Sequence, residues 1–383
     1  MPDIEAQRPV SGRERILVLD VLRGFAMIGV LVAYCMWSLG TLPEAQWSAI
    51  DRRVDTVAAF LVDGKFYTLL ATLFGLGFSI QLGRAARDAD AVETYCRRLA
   101  VLAGIGLCHA LLLRNGDILL PYALTGFLLI PFRNASDRTL ILSAIAVLLL
   151  EAAVRALWPA MGLPVLQRPD LPNASYLVEN FAWVRYWYQT AIFNWPLNLT
   201  MFLLGLFAGR RNLLVALGKR RATLIAIAAA GIAIGALLWF ALLRLPQWAG
   251  DGAALPGLRM LLFTFHCWGM SSAYAALLLL ASNAPRGAAA LAPLAAIGRL
   301  ALSNYLLQAG IIVPLCLAFA WFDQFTPTGA LLLAAGLFLL VQLPFSLFWA
   351  KRYQFGPAEW LWRVLTYQKL PPMRLAQAKA VAL

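Results

Sequence analysis

Runs of apolar residues, each close to the length of a bilayer crossing, recur along the chain between short polar connections. A helix needs about 20 mostly apolar residues to span a membrane. Stretches at about 22–40, 57–82, 97–113, 117–132, 139–158, 191–208, 223–243, 260–281, 295–320 and 329–350 fit that requirement. Polar residues interrupt the second and the ninth, and the fourth is short. The pattern predicts an all-α polytopic integral membrane protein of about ten transmembrane helices, one domain over residues 1–383 with no soluble module. The first stretch follows a charged N-terminus but carries Arg23 at its start and no small-residue cleavage site, so it is expected to be a retained span. After the last span, residues 355–367 mix Trp360, Leu361 and Trp362 with Glu359 and Arg363. This segment is too short and polar to cross, and reads as an interfacial helix with Glu359 and Arg363 paired at i,i+4. The connection at about 159–190 carries Trp183, Tyr186, Trp187 and Tyr188 among prolines. It fits either a re-entrant or interfacial helix at headgroup level or an ordinary aromatic belt.

Composition narrows the class. Hydrophobic residues make up 61% of the chain and charged residues only 13%, about half the share of a soluble domain. The mean hydropathy is +0.73. A soluble enzyme, a disordered chain and a compact nucleic-acid binder are excluded. The net charge of +13 is therefore orientation charge. With ten spans, 21 Lys and Arg fall on the side that holds both termini and eight on the other. Basic residues stay on the cytoplasmic side, so both termini are expected there. The five cysteines are scattered and match neither a disulfide framework nor a metal spacing.

Ionisable groups within spans cost about 2.5–3.5 kcal/mol each at the bilayer centre and mark function or packing ion pairs. Asp20 and Arg23 share a face at i,i+3 near the inner boundary. They are either a packing pair or a place where a guanidinium meets an anionic ligand. Asp63 and Lys65 flank Gly64 in the second stretch. They form either an outer polar site or the sign that the helix starts after Gly64. His109 ends the third stretch, and Asp117 opens the fourth after the tight turn expected at Asn115-Gly116. Such a hairpin brings the two together, and a carboxylate beside an imidazole makes a general base. Tyr122 follows one turn on. His266 lies at a similar depth, as a second cavity residue or a satisfied core histidine. No further ligand accompanies the histidines, so no metal is predicted. In the ninth stretch Arg299 shares a face with Ser303, and Asn304 with Gln308. Arg23 and Arg299 at the inner mouth suit a phosphate-bearing ligand. Gly75-Leu-Gly77 and Gly104-Ile-Gly106 read as close-packing positions, not nucleotide loops.

Several of these pieces together resemble the YeiB-like family of bacterial membrane proteins, domain of unknown function 418. They are Leu19-Asp-Val-Leu-Arg-Gly-Phe-Ala26, Leu73-Phe-Gly-Leu-Gly-Phe78, Gly106-Leu-Cys-His-Ala110 with Gly116-Asp-Ile-Leu119, Ile297 to Gln308, and Phe355 to Tyr367. The family often has Asn in the middle of the first span, where this chain reads Val32-Ala33-Tyr34. The Asp-x-x-Arg-Gly opening and the span plan are more distantly similar to transmembrane acyltransferases, among them the heparan-glucosaminide N-acetyltransferase type. That resemblance implies acyl-CoA, possibly acetyl-CoA, as a cytoplasmic co-substrate. It implies His109 and Asp117 as catalytic residues and Arg23 and Arg299 as CoA contacts. It also implies a small-molecule, glycan or lipid-linked acceptor near Asp63, Lys65, Tyr122, His266 and Asn304. The expected setting is the bacterial inner membrane, with lipids as partners, no nucleic acid, and room for a homo-oligomer. A proton-coupled transporter using the same buried charges is the alternative, and a non-catalytic membrane partner the third.

Overall fold

The computed structural model describes residues 17–38, 41–85, 90–113, 116–158, 161, 169, 171, 175–191, 195–218, 220–245, 255–284, 286–322 and 324–375. The predicted turn residue Asn115 and most of the proline-rich part of the connection at about 159–190 lie outside them. Among the described residues the chain is helical, with one isolated β-bridge between Tyr353 and Arg374. The helices are α1 (Leu17–Ala33), α2 (Ala49–Leu61), α3 (Lys65–Ala85), α4 (Asp90–Leu112), α5 (Leu119–Phe127), α6 (Asp137–Leu157), α7 (Tyr176–Gln189) and α8 (Trp195–Arg210). They continue as α9 (Leu213–Gly218), α10 (Arg221–Arg244), α11 (Leu255–Ser282), α12 (Gly287–Arg299), α13 (Ala301–Phe319), α14 (Pro327–Leu337), α15 (Leu343–Arg352) and α16 (Pro357–Tyr367). In hydrocarbon every backbone polar group needs a partner within the protein, which the helix supplies internally.

Among the described residues, eight helical segments are long and apolar enough to cross a membrane: Leu17–Trp37, Ala49–Gln81, Ala91–Leu112, Asp137–Leu157, Arg221–Arg244, Pro256–Ser282, Ala301–Phe319 and Pro327–Arg352. The protein is an all-α polytopic membrane protein. The stretches 117–132 and 191–208 form shorter helices, α5 of 9 residues and α8 of 16.

Helix directions show how the short pieces are used. Gly75 abuts the backbone of Phe202, Gly205 that of Thr72, and Gly209 the side chain of Ser79. The rise from Thr72 beside Met201 to Ser79 beside Gly209 makes α3 and α8 parallel. Along α4 and α5 they run oppositely: Gly106 meets Leu120, and the Tyr95 hydroxyl donates to the Gly126 carbonyl at 3.4 Å. The Arg210 guanidinium then donates to the carbonyls of Phe132 at 2.8 Å and Ala135 at 2.5 Å. Arg211 pairs with Asp137. Residues 117–135 thus run from the end of α4 to the end of α8. Arg133, Arg210 and Arg211, assigned to one side by the charge count, meet at one end of the bundle.

Small residues set the tight seams. A methyl group on Gly24 would strike the Leu294 carbonyl, and one on Gly298 the Asp20 carbonyl, so α1 and α12 touch backbone to backbone. Gly231 and Gly269 do the same for α10 and α11. Gly75 and Gly106 are close-packing positions as expected, whereas Gly104 faces open space. The second apolar stretch is broken at Gly64, whose φ of +76° favours glycine. A regular helix therefore restarts at Lys65.

The terminal helix α16 docks on the start of α13. Glu359 Oε1 accepts from the Leu302 amide at 2.7 Å and the Ser303 amide at 3.1 Å, and Oε2 accepts from the Ser303 hydroxyl. It thereby satisfies orphan amides at a helix N-terminus. Burial pushes the Glu359 carboxyl above its usual range, and the bonds from Ser303 and Leu302 oppose that. The Arg363 guanidinium lies 4.5 Å from the Phe355 ring centroid. Trp362 Nε1 donates to the Arg98 carbonyl at 2.9 Å.

Candidate functional site

The α4–α5 hairpin brings His109 and Asp117 together. Nδ1 of His109 lies 3.1 Å from Oδ1 of Asp117, with both side chains buried. The approach is a charge contact off the ring-nitrogen axis and not a linear hydrogen bond. Catalytic contacts in unliganded sites are often loosely aligned in this way. Oδ2 of Asp117 accepts from the Leu120 amide at 2.7 Å and so opens α5. Gly106 makes this approach possible: a Cβ there would sit 2.5 Å from the Leu120 nitrogen and 2.8 Å from Oδ2 of Asp117.

A carboxylate is acceptor-only. Facing Nδ1, it favours the tautomer with the proton on Nδ1 and leaves the lone pair on Nε2. Among the described residues Nε2 of His109 is buried and has no hydrogen-bond partner. The hairpin therefore builds an oriented imidazole with its basic nitrogen unused.

Residues absent from the sequence-based site surround it. The Tyr305 hydroxyl donates to Oδ1 of Asp117 at 3.2 Å and accepts from the Ile118 amide at 3.2 Å. Its ring centroid is 4.8 Å from that of His109. From the aromatic connection, α7 covers the end of α4. Asn180 Nδ2 donates to the carbonyls of Ala110 at 2.6 Å and Leu111 at 3.0 Å, and the Tyr176 hydroxyl bonds the Leu113 carbonyl. These are orphan carbonyls of a helix C-terminus. Farther along α7, burial raises the pKa of the Tyr188 phenol, and the charge of Asp117 adds to that. The aromatic connection is thus a helix lying over the hairpin. The Tyr122 hydroxyl donates to the Tyr67 carbonyl at 3.0 Å, joining α5 to the first turn of α3.

The other face of that turn carries a second polar cluster. Lys65 is fully buried; its ammonium donates to the Ala59 carbonyl at 2.6 Å. It also lies 5.6 and 5.5 Å from the ring centroids of Trp239 and Phe263. Those rings pack against His266, whose Nδ1 is 2.8 Å from the Gly235 carbonyl. Asp63 is exposed, and its own carbonyl accepts weakly from Cys267 Sγ at 3.6 Å. Lys65 and His266 are therefore brought together, while Tyr122 belongs with the His109 side. Asn304 is clamped elsewhere: Nδ2 donates to Ser346 Oγ at 2.9 Å and to the Ile297 carbonyl at 3.3 Å.

Arg23 and Arg299 flank one seam, beside Gly24 and Gly298 respectively, but their side chains diverge. Arg23 lies 3.4 Å from Oδ1 of Asp20, and its side chain is 34% exposed. It leans toward Gly77 of α3. Arg299 donates to the carbonyls of Ala350 at 3.4 Å and Tyr353 at 3.3 Å, closing the end of α15. Their partners lie on different elements, Asp20 of α1 for Arg23 and the end of α15 for Arg299.

Residues 208–369 match the family described as Protein of unknown function (DUF418). Over 96% of its length the chain is 29% identical to an "Uncharacterized 39.9 kDa protein in amylase 3'region" of Bacillus acidopullulyticus, covering 98% of that protein. It is 28% identical to "Uncharacterized protein YxaH" of Bacillus subtilis, over 96% of this chain and 98% of the relative. It is also 28% identical to "Uncharacterized protein YeiB" of Escherichia coli, over 94% and 98%. No solved structure matches the chain. The end-to-end relatives and the C-terminal family match agree in likening the chain to the YeiB-like DUF418 proteins.

Proposed function

We propose that the protein is an acyltransferase of the bacterial inner membrane, moving an acyl group from a cytoplasmic acyl-CoA to a hydroxyl or amine acceptor near the outer end of α4. One observation carries this reading: a buried imidazole oriented by Asp117 with Nε2 unused. In the reaction Nε2 of His109 takes the proton of the acceptor as its oxygen or nitrogen forms a bond to the thioester carbonyl carbon. Collapse breaks the C–S bond, and the imidazolium returns its proton to the leaving thiolate. Asp117 stabilises the imidazolium, and Tyr305 fixes Asp117. Arg23 is the better placed of the two arginines for a CoA phosphate, because Arg299 closes α15. Lys65 and His266 serve a polar acceptor group, not the proton transfer.

The test uses purified protein in nanodiscs with labelled acetyl-CoA and lipid and sugar acceptors. The reading expects thiol release and label in an acceptor, both abolished in His109→Ala at unchanged melting temperature. Retained turnover in that variant removes His109 from the role. Acetyl-CoA binding without thiol release points to the transporter alternative.

A further inference from the structure

The apolar segment Pro327–Arg352 ends on two cations, Lys351 and Arg352. Beyond it the chain folds back as α16 and a strap. The Gln354 amide donates to the Met373 carbonyl at 2.8 Å and the Leu375 amide to the Arg352 carbonyl at 3.1 Å. Trp360 Nε1 donates to the Pro371 carbonyl at 2.9 Å, which ties the strap to α16. Charge on this surface is one-sided. From Leu343 to Leu375 the basic residues are Lys351, Arg352, Arg363, Lys369 and Arg374, and Glu359 is the sole acid. Its carboxylate is turned inward by the bonds from Leu302 and Ser303. Lys351, Arg352, Lys369 and Arg374 are exposed. Among the described residues none of these four pairs with a carboxylate. The Arg352 guanidinium instead covers the exposed ring of Phe348, 3.9 Å from its centroid.

Leucines stand out beside these cations. In α16, Glu359, Trp362 and Thr366 face the bundle. Leu361 and Leu365, one turn apart on the opposite face, are 46% and 48% exposed, and Leu370 just after the helix is 76% exposed. Exposed leucines among cations, at the end of an apolar crossing, have the chemistry of an interfacial anchor: the leucines enter the acyl boundary and the cations meet headgroup phosphates. A zwitterionic headgroup offsets its phosphate with its own ammonium. A surface with four unpaired cations and its carboxylate sequestered therefore favours headgroups of net negative charge. We propose that α16 and its strap bind anionic phospholipids selectively, through Lys351, Arg352, Lys369 and Arg374. The proposal does not depend on acyl transfer at His109.

Hydrogen exchange tests it on the full chain in nanodiscs of phosphatidylcholine, with and without added phosphatidylglycerol. The anionic lipid should slow exchange in residues 353–375 several-fold and leave α10 and α11 unchanged. Salt at about 0.5 M should abolish the difference, because it shortens the screening length to about 4 Å. Arg374→Gln should raise the phosphatidylglycerol fraction needed for half the effect about fivefold. Lys351→Gln, Arg352→Gln, Lys369→Gln and Arg374→Gln combined should remove the effect, at unchanged melting temperature in phosphatidylcholine. The salt arm uses the parent chain and decides the matter even where the combined variant does not fold. Equal exchange in the two bilayers overturns the proposal, and so does a difference that survives the salt. Protection that follows the number of copies per disc, and not the anionic lipid, assigns the face to a second copy of the chain and overturns it as well.

Discussion

Asp117 serves His109 with one oxygen and the backbone of α5 with the other. Oδ1 faces Nδ1 of the imidazole at 3.1 Å, while Oδ2 holds the Leu120 amide at 2.7 Å. Orientation of the base and the start of a helix therefore rest on one carboxylate.

Asp117→Asn separates the two duties. The amide oxygen still accepts from Leu120, so the fold persists, but the charge that stabilises an imidazolium is gone. If His109 is the base, transfer measured by thiol release should fall about 10²- to 10⁴-fold, the range for a lost general-base contribution. The melting temperature should change far less than in Asp117→Ala. Equal melting losses in the two variants would mean that the charge, and not the cap, holds the hairpin.

Gly106→Ala should be costly even though alanine favours helices. The methyl group meets a backbone nitrogen at 2.5 Å and the carboxylate at 2.8 Å, and neither can move without opening the α5 cap. Overpacking of this kind destabilises by about 1–3 kcal/mol. Gly104→Ala, facing open space two residues earlier, is the internal control. Its thermal unfolding should match or exceed the parent's.

Asn180→Ala releases the Ala110 and Leu111 carbonyls at the end of α4. Each buried acceptor left unmatched costs about 1–3 kcal/mol. Hydrogen exchange should quicken in the last turn of α4 and in α7, while α10 and α11 stay protected. Uniform exchange across the molecule would show that α7 is not held locally.

Glu359 gives a pH dependence with a definite sign. Its folded-state pKa is raised above the usual carboxylate value by burial. The folded state therefore binds the proton more tightly than the unfolded state does. The stabilisation from this group is full below the unfolded pKa and is lost as pH rises through the higher folded value. Glu359→Gln keeps a carbonyl acceptor for Leu302 and Ser303 and does not titrate, so its melting temperature should vary less over that window. A variant that tracks the parent's pH profile would assign the dependence to other groups.

Local patterns made much of this visible in advance. Apolar run length gives the helices, because a spanning segment must satisfy its own backbone. The His109–Asp117 contact is legible because only a short turn separates the two, and the break at Gly64 because Asp63 and Lys65 sit awkwardly in an apolar helix. Tyr305 was hidden: it reaches Asp117 across 188 positions, and a tyrosine in an apolar helix looks like any core aromatic. Asn180 and Glu359 were hidden because each serves the end of a distant helix, and local sequence does not show which orphan groups lie across the bundle. The carbonyl partners of Arg299, at Ala350 and Tyr353, carry no sequence signal either.

The break at Gly64 also settles a matter of length. An unbroken helix over Ala49–Gln81, 33 residues, would measure about 50 Å at 1.5 Å per residue. The hydrocarbon core is only about 30 Å thick. The 21 residues of α3 match that thickness alone, so α2, with exposed Arg52 and Arg53, need not share the crossing. With α3 as the crossing, Lys65 falls at one end of it. Aromatic rings from α10 and α11, Trp239 and Phe263, wall its ammonium there.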